Sequence, residues 1–300
     1  MTMPNFLIIG AAKSGTTALN DALAQHPQIY ICPTKEPNFF ALEGSTLNYA
    51  SGSVQTAYLA HCVTDLATYR DRFQPHSHQV AIGEASPIYL YDSNAAERIH
   101  HYIPDVKLIA ILRDPIERAY SNFLHHIRDD LETTPEFLDA IALEEKRISD
   151  NWWWGFHYCQ SGFYYQQLRR YFDRFDPSQI QIYLYEDLSK NRLTVLKELF
   201  QFLGVDPEFA PDMSIRQNVT GVPKSRGLHE FLSQPHPLKS FFKPLFPEPL
   251  RKRIVTKIKN QNLDKPDLMA SVREQLSPIF REDISQLQDL IQRDLSAWLY

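Results

Sequence analysis

Asn5-Phe6-Leu7-Ile8-Ile9-Gly10-Ala11-Ala12-Lys13-Ser14-Gly15-Thr16-Thr17 decides how the rest of this chain is read. A short apolar strand runs into a tight loop framed by glycines, and the loop runs into the start of a helix. That order aims backbone N–H groups and the positive end of a helix dipole at one point, which suits a phosphate.

Gly10 and Gly15 have the spacing of the GxxxxG loop of nucleotide-binding proteins, but Thr16 stands where an NTPase carries its Walker lysine. The only lysine of the stretch, Lys13, lies inside the loop. The pattern predicts a phosphate cradle built for something other than the β and γ phosphates of ATP.

Outward from the loop, apolar and β-rich runs recur at Phe6–Gly10, Ile29–Cys32, Val80–Gly83, Lys107–Leu112 and Ile180–Tyr185. They are short, nearly continuous in apolar character and separated by helical patterns, as in a parallel sheet buried on both faces. Helices are predicted over Thr16–His26, Ile116–Arg128 after the Asp114-Pro115 start signal, Gly162–Phe175 and Leu188–Leu203. A last helix sets Phe280, Ile284, Leu287, Ile291, Leu295 and Trp298 on one face, which would dock as a lid over the core. The expected fold is α/β, a central parallel sheet flanked by helices as in P-loop nucleotide-binding proteins, with helical insertions. Residues 1–300 read as one domain, with an insertion at 41–78 and a C-terminal helical part at 225–300.

Composition narrows the function. The 300 residues are 43% hydrophobic, enough for a large core, and carry a formal net charge of −5. That balance argues against a dedicated nucleic-acid binder. The first apolar run is too short for a signal peptide, and no apolar run reaches a membrane span. Cys32, Cys62 and Cys159 are odd in number and far apart, which reads as reduced thiols in a cytoplasmic protein and offers no metal-ligand spacing. Residues 234–260 are rich in proline and lysine: either a solvated face or a contact with an acidic acceptor or membrane.

The second signal is Leu108-Ile109-Ala110-Ile111-Leu112-Arg113-Asp114-Pro115-Ile116-Glu117-Arg118-Ala119-Tyr120-Ser121. A buried strand ends in an arginine, turns at Asp-Pro and enters a helix that carries Ser121 about two turns on. Arg113 and Ser121 together suit a second phosphate, held by a charge-assisted fork and one hydroxyl. The plainer alternative is an Arg113–Asp114 turn clamp with Ser121 on a solvated face.

Paired in this order, the Lys13-Ser14-Gly15-Thr16-Thr17 loop and Arg113…Ser121 resemble the donor-binding motifs of sulfotransferases that use 3′-phosphoadenosine 5′-phosphosulfate (PAPS). Lys35-Glu36-Pro37-Asn38-Phe39-Phe40, Gly83-Glu84-Ala85-Ser86-Pro87, Gly162-Phe163-Tyr164, Tyr185-Glu186-Asp187-Leu188 and Lys224-Ser225-Arg226 extend the resemblance to the heparan-sulfate-like and bacterial branch over nearly the whole chain. The resemblance implies that Lys13 and the N–H groups of Ser14, Gly15, Thr16 and Thr17 hold the 5′-phosphosulfate of PAPS without a metal. It implies that Arg113 and Ser121 hold the 3′-phosphate, that Lys224, Ser225 and Arg226 close over the donor, and that adenosine 3′,5′-bisphosphate (PAP) is released. A solvated turn is the other reading of Lys224–Arg226.

Charge builds on the leaving phosphate oxygen during sulfuryl transfer, so a cation at Lys13 suits the chemistry. The resemblance implies that Glu36 is the general base, which would need its pKa raised by burial against Phe39 and Phe40, with Glu84 as a second base or orienting group. The competing reading makes Glu36 an ion-pair partner of Lys35 or Lys13. Asn38, Phe39, Phe40, Ser86, Trp153 and Trp154 are candidates for the acceptor pocket. Three consecutive tryptophans, Trp152-Trp153-Trp154, cannot all face one core on a helix, although packing between elements also explains them. Seven histidines, among them His125 and His126, show no metal spacing and read as surface or satisfied side chains.

Ala85 and Asn38 replace a lysine and a histidine common in heparan-sulfate enzymes, which shifts the expected acceptor from a sulfated polysaccharide toward a small molecule, a lipid or a secondary metabolite. Two other functions fit the loop less well: a P-loop kinase or NTPase, opposed by Thr16 and by the lack of a Walker B aspartate, and a non-catalytic nucleotide-binding module.

Overall fold

The computed structural model of the chain describes residues 2–212, 221–223, 263–264 and 266–300. Its centre is a sheet of five strands, β1 (Phe6–Gly10), β2 (Ile29–Ile31), β3 (Ala81–Ala85), β4 (Lys107–Leu112) and β5 (Ile180–Leu184), in the order β2-β3-β1-β4-β5. Every neighbouring pair is parallel, with Phe6 opposite both Gly83 and Lys107 and Leu108 opposite Ile180. Each apolar run therefore became a strand, β1 and β4 with the expected ends and β2, β3 and β5 with shifted ones. Val80 stays outside β3 and is 52% exposed.

Helix α1 (Thr16–Leu23) joins β1 to β2, and three short helices, α2 (Phe39–Leu42), α3 (Thr56–Leu59) and α4 (Leu66–Arg70), fill the stretch before β3. Then come α5 (Ile88–Tyr91), α6 (Ala95–Tyr102), α7 (Pro115–Arg128), α8 (Phe137–Ala142), α9 (Glu144–Ser149) and α10 (Tyr164–Phe172). After β5 the chain makes α11 (Tyr185–Lys190), α12 (Arg192–Leu203) and the long α13 (Ala270–Ile291). Val222–Pro223 and Leu263–Asp264 pair antiparallel in a small ribbon.

Strand side chains alternate between two cores, as the period of two requires. Leu7, Ile9, Leu108, Ala110 and Leu112 face the core under α2, α5, α6, α7, α10 and α13. Phe6, Ile8, Ile109 and Ile111 face the other, against Leu19 and Leu23 of α1 and Val195, Leu199 and Phe200 of α12. Burial on both faces explains why these strands read as unbroken apolar runs.

Two helical expectations are corrected. The predicted Leu188–Leu203 helix is two helices, broken at Asn191, whose φ of −131° and ψ of 42° are non-helical. The last helix stops at Ile291, with Gln292 left-handed at φ 52°, so Leu295 and Trp298 reach the core from the turn that follows. Helix α13 packs on α10 and α7, and the Asp283 carboxylate accepts the Tyr165 N–H at 3.1 Å, capping α10 from a distance.

β1 sits between β3 and β4, and the chain leaves it toward β2 on one side and returns at β4 on the other. That strand order puts a crevice at the carboxyl ends, where α/β sheets bind ligands.

Candidate active site

The loop after β1 is tied to the next strand by Ala11 N–H, which donates to the Ile111 carbonyl at 2.8 Å. Gly15 is the N-cap of α1 in a left-handed conformation, φ 97°, which strains a side chain and is open to glycine. Among the described residues no side chain caps α1, and its first turn holds no acid, so its leading N–H groups are open to a ligand. Ser14 is fully buried with its Oγ lacking a partner, Thr16 lines the cleft, and the Thr17 Oγ1 accepts from Lys35 Nζ at 3.1 Å.

Lys13 lies at the mouth of this loop in the left-handed region, φ 65°. Burial first, and then Arg128 nearby, push its ammonium down to about 7, while Asp129 and Glu36 oppose the shift. Arg113, at the end of β4, reaches it: Nη1 donates to the Lys13 carbonyl at 3.3 Å, Nη2 donates to Glu117 Oε2 at 2.9 Å, and the guanidinium lies 4.8 Å over the Tyr185 ring. The two motifs, about 100 residues apart in sequence, therefore meet in space.

One cleft of about 1690 Å³ runs past both. It extends from Leu188, Asn191 and Arg192, at the start of α12, over Thr16 and Thr17, to Glu36, Tyr58, Trp153 and Trp154. That is more room than a single drug-sized ligand takes, and it suits two substrates.

Glu36 stands across the cleft from the loop, left-handed at φ 54°. Its Oε2 accepts the Tyr58 hydroxyl at 2.7 Å, and Lys35 Nζ lies 3.7 Å from Oε1. The Lys35 side chain is 53% exposed, so this ion pair is weak, and the Tyr58 bond is the firmer contact. Tyr58 in turn accepts from Asn38 Nδ2 at 3.1 Å, and burial together with Glu36 keeps its phenol protonated, far above its ordinary range.

The wall beyond Glu36 comes from two loops held together. Trp153 N–H donates to Ser53 Oγ at 3.2 Å, and the Trp153 ring lies 5.4 Å from Tyr58 and 4.7 Å from Tyr49. Trp154 stacks at 6.0 Å on Tyr91, while Trp152 turns away onto Phe156 and Arg147. Trp152 parts from Trp153 and Trp154, whose rings meet edge to face at 6.1 Å, because the segment is a loop ending in a 3-10 turn, Trp154–Phe156, rather than an α-helix.

Seven expected site residues, Ser14, Asn38, Phe39, Phe40, Glu84, Ser86 and Ser121, do not line the cleft. Phe39 and Phe40 are fully buried in α2, stacked on Tyr69 at 4.6 Å and edge-on to Tyr89 at 5.5 Å, so they belong to the core and leave Glu36 to Tyr58. Glu84 is walled in: Tyr69, Tyr89 and Ser86 hydroxyls donate to it at 3.1, 2.6 and 2.7 Å, and burial raises its carboxyl to about 7. It has no path to an acceptor. Ser86 accepts from Asn38 N–H at 3.0 Å, so Glu84, Ser86 and Asn38 brace the turn that carries Glu36. Ser121 is also fully buried and absent from the cleft wall, leaving Arg113 as the member of that pair presented there. Lys224, Ser225 and Arg226, and the basic 239–259 stretch, lie outside the described residues.

His125, His126 and Asp129 line the cleft, although the histidines show no metal spacing. Their signal was a step of four: Glu117, Ser121, His125 and Asp129 follow Arg113 along one side of α7. Burial and the nearby Lys13 hold His126 at about 4 and His125 lower still, so both are neutral at neutral pH. His125 Nδ1 is buried and has no hydrogen-bond partner among the described residues.

Comparison with known proteins matches this geometry. A solved sulfotransferase from Alicyclobacillus acidocaldarius superposes over 100% of both chains with a TM-score of 0.77 at 29% identity. Human carbohydrate sulfotransferase 15 is 26% identical over 258 residues, covering 68% of this chain and 44% of that protein. Mouse bifunctional heparan sulfate N-deacetylase/N-sulfotransferase 3 is 29% identical over 215 residues, covering 69% of this chain and 23% of that protein. The chain thus spans less than half the length of these two relatives. The profile of the Sulfotransferase family matches residues 4–210, and with the phosphate loop, Arg113 and the parallel sheet in place, this chain belongs to that family.

Proposed function

We propose that the cleft moves the sulfuryl group of PAPS to a hydroxyl of an uncharged acceptor with a flat apolar face, and releases PAP. The hydrogen bond from Arg113 to the Lys13 carbonyl carries this reading, because it sets a second phosphate-binding cation beside the loop. A nucleotide bearing phosphate at both its 3′ and 5′ positions matches that pair, whereas ATP has no group for Arg113.

In this mechanism Glu36 takes the proton of the acceptor hydroxyl as its oxygen bonds to sulfur. The bond from sulfur to the 5′-phosphate breaks, and its electron pair stays on the phosphate oxygen. Lys13 and the N–H groups of the loop meet that charge. A bound phosphate draws Lys13 to its ammonium form, since an opposite charge favours the charged state. Tyr58 aims the Glu36 carboxylate.

The acceptor class follows from the wall. Tyr58, Trp153 and Trp154 supply aromatic faces, as used for sugars, phenols and other flat apolar bodies. Among the described residues beside that wall, Arg128 is committed to Asp129 at 2.7 and 3.2 Å and Lys35 lies 3.7 Å from Glu36, which favours an uncharged acceptor over a polysulfated chain.

Mass detection of sulfated products from PAPS tests this with two acceptor sets, uncharged sugars, phenols and alcohols against chains already bearing several sulfates. Product from the first set alone is expected. Product from the polysulfated set alone overturns the acceptor class, and turnover of ATP–Mg²⁺ in place of PAPS overturns the donor.

A further inference from the structure

Across the first turn of α7 and the start of α13 lies a lattice of two carboxylates and two guanidiniums. Arg113 Nη2 donates to Glu117 Oε2 at 2.9 Å, Arg273 Nη2 lies 3.7 Å from Glu117 Oε1, and Arg273 Nη1 donates to Asp114 Oδ2 at 2.8 Å. Asp114 is the N-cap of α7, its Oδ1 accepting from the N–H groups of Ile116 and Glu117 at 2.9 and 3.0 Å. Glu117 is thus gripped through one oxygen by each arginine, on a turn that is itself capped.

Arg113 lines the cleft and Glu117 does not. The carboxylate therefore holds the guanidinium from outside the cleft wall. With Nη1 on the Lys13 carbonyl and the plane resting on Tyr185, Arg113 is fixed at two N–H groups and one face. Its remaining donors can point into the cleft in one orientation only. Bidentate phosphate recognition depends on that plane, and an unheld arginine loses rotamer freedom when it binds.

We propose that Glu117 is the positioning residue that gives the enzyme its preference for a 3′-phosphate, with Arg273 of the C-terminal helix as its counter-anchor. Arg273 also offsets the Glu117 charge, so the carboxylate orients Arg113 without repelling the phosphate. The inference rests on the reading of Arg113 as the 3′-phosphate ligand. It links the donor site to α13, a helix distant in sequence from both phosphate motifs.

The test compares calorimetric affinities for PAP and for adenosine 5′-monophosphate, which differ only in the 3′-phosphate. Wild-type protein binds PAP more tightly; equal binding would remove the 3′-phosphate reading itself. Given that preference, Glu117→Ala weakens PAP by about tenfold, the loss of one charge-assisted hydrogen bond. Its affinity for adenosine 5′-monophosphate stays within about twofold, which also reports an intact loop. Glu117→Asp recovers part of the preference, and Arg273→Ala loses a smaller part. If Glu117→Ala weakens both nucleotides equally, weakens neither, or tightens PAP, the proposal falls while the donor assignment stands.

Discussion

The two ends of the cleft are built in different ways. The donor end is made by chain that leaves strands: the loop after β1, Arg113 after β4 and Tyr185 after β5. On the proposed function its phosphate ligands are backbone N–H groups and one arginine, placed by the parallel register and a helix dipole. The proposed acceptor end is made by side chains from remote loops and a short helix, Ser53 and the α3 residue Tyr58 before β3 and Trp153 and Trp154 before α10, with His125 and Asp129 at the end of α7. Under the proposed function, a donor shared by a family is held by what the fold imposes, and the acceptor by what insertions supply. Glu36 stands at the seam, on the turn after β2 but aimed by a side chain of the insertion.

The largest expected effect breaks the chemistry at the donor end and leaves binding there. Lys13→Ala should lower kcat by about a hundredfold to a thousandfold, the usual cost of removing one preorganised group that meets transition-state charge. PAP affinity should change far less, because the N–H groups of the loop and Arg113 remain. Equal losses in kcat and in PAP affinity would show that Lys13 binds rather than catalyses.

A second test uses proton linkage at the same residue. The Lys13 ammonium sits at about 7 in the free protein because burial disfavours its charge. The active form is the protonated one, so kcat/KM for PAPS should fall as pH rises through about 7. Lys13→Arg does not titrate in this range, and its profile should lose that alkaline limb. An unchanged limb would assign it to another group.

What sequence alone could reveal follows the same division. The strand–loop–helix at Phe6–Leu23 and the strand–Arg–Asp–Pro–helix at Lys107–Arg128 are local, and local pattern reached both. Tyr58 could not be found that way. It lies in a stretch without strong periodicity, and its bond to Glu36 spans 22 residues. Phe39 and Phe40 misled because adjacency to a candidate base says nothing of which way a short helix turns, and α2 is buried on every residue. His125 continues the step of four along α7 one turn past Ser121, a local pattern that leads to the cleft.

The smallest expected effect tests whether the two ends are separable. Tyr58 donates to Glu36 at 2.7 Å and accepts from Asn38 at 3.1 Å, so its one hydroxyl proton is committed to the carboxylate. Tyr58→Phe keeps the ring against Trp153 and removes only that bond. Glu36 then loses the contact that fixes its rotamer, and Asn38 Nδ2 keeps only Cys62 Sγ, at 3.4 Å. Loss of one hydrogen bond to a charged group costs about 1.5 kcal/mol of orientation, or roughly tenfold in kcat/KM for the acceptor. PAP affinity should hold within about twofold, because no group on the donor wall moves. If PAP binding fell together with turnover, the insertion would be supporting the phosphate loop through Lys35, which bonds Thr17 on one side and faces Glu36 on the other. The two ends would then be one coupled unit, and acceptor loops could not be exchanged without cost to the donor.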